Sequence, residues 1–167
     1  MAVCRKDQAG QPGKTIVFAM SQDHARRLEE TFYEMYPQWS DLVRVITHKS
    51  DHRNTLVKKF KREDKPHIAI SVDMLETGID VPEVVNLVCM RPVHSQIRVA
   101  QMIGRGTRTF EACRYPERLP DGKKDDFLII DFWENNFDKE VETGPSQSLP
   151  VQITILNTRL EMLELLL

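Results

Sequence analysis

The segment 101–108 reads Gln-Met-Ile-Gly-Arg-Gly-Thr-Arg and is the part of this chain best suited to phosphate chemistry. Arg105 and Arg108 follow Gln101 and Gly104, and a glycine lets the backbone come close to a ligand. Phosphoryl transfer builds negative charge on the transferred group, and arginine meets that charge with a planar, permanently charged fork. The pattern indicates either an arginine-mediated phosphate site or a helix end that is stopped by glycines and carries solvated arginines.

A second candidate segment, 76–82, reads Glu-Thr-Gly-Ile-Asp-Val-Pro and follows an apolar run at 67–71. Gly78 permits close backbone approach, and Asp80 can accept hydrogen bonds from a ribose hydroxyl. Ligands of open α/β sheets bind at the carboxyl ends of the strands. The sequence therefore predicts that this segment and the arginine segment converge at the carboxyl edge of one sheet. The alternative is a helix-terminating turn capped by Asp80.

The tripeptide Gly13-Lys14-Thr15 resembles the end of a phosphate-binding P-loop but lacks its context. That motif needs a glycine five positions before Gly13, a preceding strand and a following helix, whereas here Gln8 stands at the early position and a strand-like run follows. Asp131 ends an apolar run as a Walker B acid would, but no P-loop precedes it. We therefore assign no P-loop to these 167 residues and predict no metal site in them.

Apolar runs alternate with helix-length segments along the chain. Strands are predicted at 15–19, 43–46, 67–71, 84–90 and 127–131. A helix capped by Ser21 carries apolar residues at helical spacing, namely Ala25, Leu28, Phe32 and Met35. A basic helix with Leu56, Val57 and Phe60 inward and a third helix at 95–103 complete the pattern. This alternation predicts an α/β fold with a mostly parallel sheet covered on both faces.

Composition places the chain among soluble globular proteins, with 41 % hydrophobic and 29 % charged residues and a net charge of −2. Three distant cysteines make neither a disulfide framework nor a zinc site, which suits a cytoplasmic location, and no apolar run reaches the length of a membrane span. We interpret residues 1–13 as a linker or an artificial chain end, 14–149 as the domain, and 150–167 as an apolar helical tail. That tail either continues in a longer protein or docks on the domain.

Three segments, 14–19, 77–80 and 101–108, resemble in order motifs IV, V and VI of the C-terminal RecA-like lobe of superfamily 2 helicases and translocases. More narrowly, segments 72–82 and 90–95, running into 101–108, resemble the motor (R) subunit of type I restriction-modification enzymes. The resemblance implies a RecA-like three-layer α/β/α sandwich. It also implies that ATP and Mg²⁺ bind between this lobe and an N-terminal RecA-like lobe.

The resemblance implies roles for the matching residues. Arg105 and Arg108 would contact the γ-phosphate of ATP, Gln101 would orient them, and Gly104 would lie against the nucleotide. Gly78 and Asp80 would lie beside the ribose.

The resemblance further implies that the lobe holds a DNA backbone. Ser21, Ser71 and Thr77 are candidates for this contact, and many relatives carry threonine where this chain has Val72. Lys58 and Lys59 belong to a basic stretch that either follows the phosphates or forms a solvated helix face.

The implied partners are double-stranded DNA, the N-terminal motor lobe and nuclease domain of the same polypeptide, and methyltransferase and specificity subunits, with no membrane. Two alternatives stay open: the equivalent lobe of another superfamily 2 helicase, of a repair type, and a non-catalytic module for DNA binding or protein docking.

Overall fold

The computed structural model describes residues 4–50, 52–72, 81–133 and 135 of the chain. Within these residues one sheet contains the strands β1 (Thr15–Ala19), β2 (Val43–Val45), β3 (Ile68–Ser71), β4 (Asn86–Met90) and β5 (Leu128–Asp131). The strand order is β2-β3-β1-β4-β5, and every neighbouring pair is parallel. The predicted parallel sheet is confirmed.

The described α-helices are α1 (Gln22–Met35), α2 (Arg53–Arg62) and α3 (Gln96–Ile103), with short 3-10 helices at Pro37–Trp39, Phe110–Ala112, Pro116–Arg118 and Pro120–Gly122. Ser21 begins α1 as predicted, because its hydroxyl accepts a hydrogen bond from the backbone N–H of His24 at 3.1 Å. Ser95 precedes α3 as its N-cap residue.

The helices cover both faces of the sheet. Successive residues of β1 point to opposite faces, so Val17 and Ala19 pack with Ala25 of α1, while Ile16 and Phe18 pack with residues of α2 and α3. This arrangement is the predicted RecA-like three-layer α/β/α sandwich. One detail of the helix prediction is wrong, since Met35, placed on the apolar face of α1, is 64 % exposed.

Residues 4–13 pack along the amino edge of the sheet, where the parallel strands begin. Arg5 exchanges two hydrogen bonds with the side chain of Asn86, at 2.8 and 3.0 Å, and forms an ion pair with Asp126 at 2.5 Å. The backbone N–H of Gly13 donates to the carbonyl of Arg5 at 2.9 Å. The composition of segment 1–13, which suggests a linker, gave no reason to expect these contacts.

Candidate functional site

The turn that carries Arg105 and Arg108 lies at the amino edge of the sheet, not at the predicted carboxyl edge. Helix α3 follows β4, runs back along the sheet and ends at Ile103. Gly106 then packs against the ring of Phe127, directly before β5, so closely that a Cβ on Gly106 would stand 2.3 Å from Phe127 Cδ2. The carboxyl-edge prediction is wrong for this turn because a helix between parallel strands must return to the opposite edge.

The end of the second candidate segment reaches the same amino edge. The backbone N–H of Val85 donates to the carbonyl of Lys14, which precedes β1, at 3.0 Å. Val81 and Val84 are buried in the apolar cluster that contains Met102 and Phe127. For residues 81 and 82, the described end of this segment, the predicted carboxyl edge is therefore wrong. Val81 shares the apolar cluster with Met102 of α3, which leads into the arginine turn. Thr77, Gly78 and Asp80 lie outside the described residues.

Backbone hydrogen bonds fix the shape of the arginine turn. The N–H of Gly104 donates to the carbonyl of Ala100 at 2.9 Å, and the N–H of Gly106 donates to that of Ile103 at 2.8 Å. Arg105 is half-buried, whereas Gln101 and Arg108 are exposed. The turn thus presents two guanidinium groups on a backbone anchored in the core, an arrangement suited to an anionic ligand.

Two contacts that the sequence did not suggest join residues 82–83 to the loop after the arginine turn. The ammonium group of Lys124, 2 % exposed, donates to the carbonyl of Pro82 at 2.6 Å. The carboxylate of Glu83, also 2 % exposed, accepts from the backbone N–H of Arg114 at 2.7 Å. Burial is the main cause that lowers the pKa of Lys124 to about 8; Cys113 and Glu83 oppose this shift, and Arg108 contributes to it. No sequence signal could have found Lys124, because adjacent lysines in a polar loop normally face solvent.

The carboxyl edge carries a different set of polar residues. Ser21 is exposed at the start of α1, and Ser71 is buried, at 1 % exposure, at the end of β3. An open groove beside Ser21 was also missed by the sequence interpretation. Its polar lining residues are Gln22, Asp23, Arg26, Glu29, Arg44, Thr47, Lys49 and Ser50. The charged side chains that line the groove include both acidic and basic residues. The hydroxyl of Thr47 donates a hydrogen bond to Gln22 Oε1 at 2.9 Å.

Lys58 and Lys59 are exposed on α2, towards the end of the helix that meets the amino edge. That end is identified by Lys14, whose ammonium group donates to the carbonyls of Glu63 and Asp64 immediately after α2. The structure therefore does not bring these lysines together with Ser21 and Ser71. Basic residues in the last turn of a helix also interact favourably with the helix dipole. This interaction explains part of the basic stretch even if no ligand binds there.

The described residues contain no group of three or more His, Cys, Asp or Glu side chains arranged to hold a metal ion. None of the helices in the described part of the chain is long and apolar enough to cross a membrane.

Comparison with known families decides the assignment. The model of the helicase conserved C-terminal domain matches residues 2–109, more than half of the chain. The chain belongs to this family. It is the C-terminal lobe of a superfamily 2 helicase, and the matched residues include β1 to β4, α3 and the arginine turn.

Among curated proteins this helicase lobe resembles subunits of restriction enzymes and an RNA helicase. It is 35 % identical to the type I restriction enzyme EcoKI endonuclease subunit of Escherichia coli over 127 residues, covering 71 % of the chain and 10 % of that protein. It is 25 % identical to the ATP-dependent RNA helicase DBP6 of Candida glabrata over 153 residues, covering 83 % of the chain and 22 % of that protein. The chain thus spans only a small part of the length of these relatives.

A solved structure agrees with the restriction-enzyme likeness. The helicase lobe superimposes with a TM-score of 0.61 on a fragment assigned to the HsdR subunit of a type I restriction enzyme from Vibrio vulnificus, at 25 % identity. The alignment covers 84 % of this chain and 27 % of the other.

Proposed function

We propose that this domain is the second motor lobe of an ATP-dependent translocase of double-stranded DNA. The parent protein that contains this lobe would be the R subunit of a type I restriction enzyme. The full-length parent would be a cytoplasmic hydrolase. It would bind ATP and Mg²⁺ between this lobe and an N-terminal RecA-like lobe of the same polypeptide. That polypeptide would also carry a nuclease domain. Methyltransferase and specificity subunits would be its further partners.

The observation that carries the proposal is the meeting of the arginine turn and residues 81–85 at one edge of the sheet. Two guanidinium groups there stand on a backbone held by Met102, Ile103 and Phe127 in the core. A nucleotide presented by another lobe at this edge would meet two arginines on a hydrogen-bonded backbone turn. The 35 % identity with the EcoKI subunit supports the choice of a restriction-enzyme parent.

On the nucleotide side we assign Arg105 and Arg108 to the γ-phosphate, with Gln101 orienting them and Gly104 allowing close approach. An arginine that meets the charge developing on a transferred phosphoryl group contributes on the order of a thousand-fold or more in rate. Gly78 and Asp80 are proposed to lie at the ribose, because they directly precede residues that reach the same edge.

On the nucleic-acid side we assign Ser21, Ser71 and Thr77 to the DNA backbone; of these, Ser21 and Ser71 lie at the carboxyl edge. The exposed position of Ser21 at a helix start supports its role, since a helix N-terminus offers amides to an anion. Lys58 and Lys59 are proposed as a separate contact, because they lie towards the opposite edge.

The test is DNA-stimulated ATP hydrolysis by the full-length parent, wild type against Arg105→Ala and Arg108→Ala. We expect turnover to fall by about a hundred-fold or more in each variant, because charge stabilisation in the transition state is lost. DNA affinity, measured in parallel at fixed salt, should stay within about two-fold. Unchanged turnover would mean that the arginines are structural, and the motor assignment would lose its chemical basis.

The relation to the RNA helicase DBP6 favours a second candidate, a motor lobe of another superfamily 2 helicase. The same ATPase assay separates the two when duplex DNA and RNA are compared as stimulating ligands. Stimulation by duplex DNA supports the translocase, and stimulation by RNA alone supports the second candidate. A non-catalytic docking or DNA-binding module would show neither.

A further inference from the structure

Lys124 is a buried lysine that connects two separate segments of the candidate nucleotide site. It lies in the loop that follows the arginine turn, only three residues before the Phe127 ring on which Gly106 packs. Its ammonium group donates to the carbonyl of Pro82 at 2.6 Å, and Pro82 stands two residues after Asp80. The lysine thus bridges the arginine side and the proposed ribose side of the site.

A second hydrogen bond, with the same direction, lies beside the first. Glu83, adjacent to Pro82, accepts from the backbone N–H of Arg114 at 2.7 Å, so residues 82–83 offer one acceptor from the backbone and one from a side chain to the same loop. Both side chains are 2 % exposed. Hydrogen bonds of charged groups in a buried environment are stronger and better fixed than surface bonds, because water does not compete for them.

The charge of Lys124 is close to that of Arg108. Arg108 is among the groups that shift its titration, together with Glu83 and Cys113. Lys124 therefore lies near the arginine turn while its hydrogen bond goes to Pro82.

We propose that Lys124 is a positioning residue for ATP hydrolysis, which ties residues 82–83 to the loop after the arginine turn and so keeps that turn in register with the described end of the second candidate segment. This inference rests on the proposed function. A displacement of about 1 Å in a group that stabilises a transition state costs on the order of a hundred-fold in rate. Loss of the tie therefore lowers turnover without removing any group that touches the nucleotide.

The experiment measures kcat and KM for ATP in the DNA-stimulated full-length parent with Lys124→Met, Lys124→Arg and the matched control Lys123→Met. Methionine keeps the length of the buried side chain and removes both its charge and its donors. Arginine keeps the charge and the donors, whereas Lys123 is an exposed neighbour in the same loop. Arg105→Ala and Arg108→Ala are measured in the same series.

We expect Lys124→Met to lower kcat by about ten-fold to a hundred-fold with KM within about two-fold, because only the transition-state contacts lose their alignment. Lys124→Arg should recover most of that loss, and Lys123→Met should match the wild type. A structural role alone would reduce the folded fraction and DNA binding together, and would leave kcat per folded molecule unchanged.

If Lys124→Met fails to fold, Lys124→Gln serves in its place. It keeps a polar end group but removes the charge and shortens the side chain, so the bond to the Pro82 carbonyl is lost and kcat should fall several-fold with unchanged KM. Wild-type kcat in the folded variant, with turnover abolished in Arg105→Ala, overturns the role of Lys124 and leaves the proposed function intact. Wild-type turnover in Arg105→Ala and Arg108→Ala overturns the proposed function and this inference with it.

Discussion

Lys14 shows how a single residue of a phosphate-binding pattern can serve the fold instead. It is 1 % exposed, and its ammonium group donates to the carbonyls of Glu63, Asp64 and Pro66 at 3.1, 2.7 and 2.6 Å. The group also lies 5.0 Å from the centroid of the Phe60 ring. Lys14 therefore holds the segment that directly follows α2 by its backbone carbonyls. The same lysine is thus not available to a phosphate.

The burial of Lys14 predicts a pH dependence of stability. Burial, assisted by Arg118, lowers its pKa to about 7 in the folded state, against 10.5 for an ordinary lysine. The unfolded chain then binds more protons between these values, so the contribution of Lys14 to stability rises with pH from about 7 to about 10.5. Below pH 7 both states are protonated and the contribution is constant. The slope is at most about 1.4 kcal/mol per pH unit.

Urea unfolding of wild type and Lys14→Met at pH 7, 8 and 9 measures this effect. The free energy of unfolding of the wild type, minus that of the variant, should increase with pH, because only the wild type has the lysine whose pKa is lowered. The effects of Lys124 and the other titrating groups cancel in this difference, since both proteins contain them. Parallel profiles would contradict the depressed pKa.

Among the contacts between elements, that of Gly106 with Phe127 packs the arginine turn against the residue that directly precedes β5. A Cβ at Gly106 would lie 2.3 to 2.7 Å from three ring atoms of Phe127, which is fully buried. We expect Gly106→Ala to lower the free energy of unfolding by about 1–3 kcal/mol, the usual cost of overpacking a core. Chemical denaturation measures the change.

The double variant Gly106→Ala/Phe127→Leu is the control for this steric cause. Leucine leaves room for the added methyl group, so the two substitutions should be less destabilising together than the sum of their separate effects. Gly104→Ala, whose new Cβ would meet its nearest atom at 3.3 Å, should cost clearly less than Gly106→Ala. Additive effects of Gly106→Ala and Phe127→Leu would contradict the clash.

The elements were predictable from the sequence, while the edge of the sheet at which the candidate site lies was missed. Apolar runs and helical spacing identified the five strands and three α-helices of the described chain. The general rule that ligands of open α/β sheets bind at the carboxyl ends of the strands predicts the carboxyl edge for the arginine segment. A parallel sheet, however, requires each connection to cross back before the next strand begins. Residues 81–85 and 104–106 end such crossings, so connectivity alone could have placed them at the amino edge.

The buried lysines could not be predicted. Lys14 and Lys124 lie in polar surroundings of the sequence, and their burial depends on carbonyls at Asp64, Pro66 and Pro82 that come close only in the folded chain. Sequence propensity assigns such lysines to the surface because burying an amine without partners is costly. Tertiary hydrogen bonds offset that cost here.

For the molecule as a whole, these features predict that the 167 residues do not hydrolyse ATP alone. Lys14 of the P-loop-like tripeptide is occupied by backbone carbonyls, and the described residues hold no acidic cluster for a metal ion. The arginine turn supplies positive charge to a phosphate but nothing that binds a complete nucleotide. We expect no Mg²⁺-dependent phosphate release above background and only weak nucleotide binding, measured by a phosphate assay and by calorimetry. A sample of the same chain that has been unfolded by guanidinium serves as the blank. Robust hydrolysis by the purified chain would contradict the assignment of this lobe as one half of a shared site.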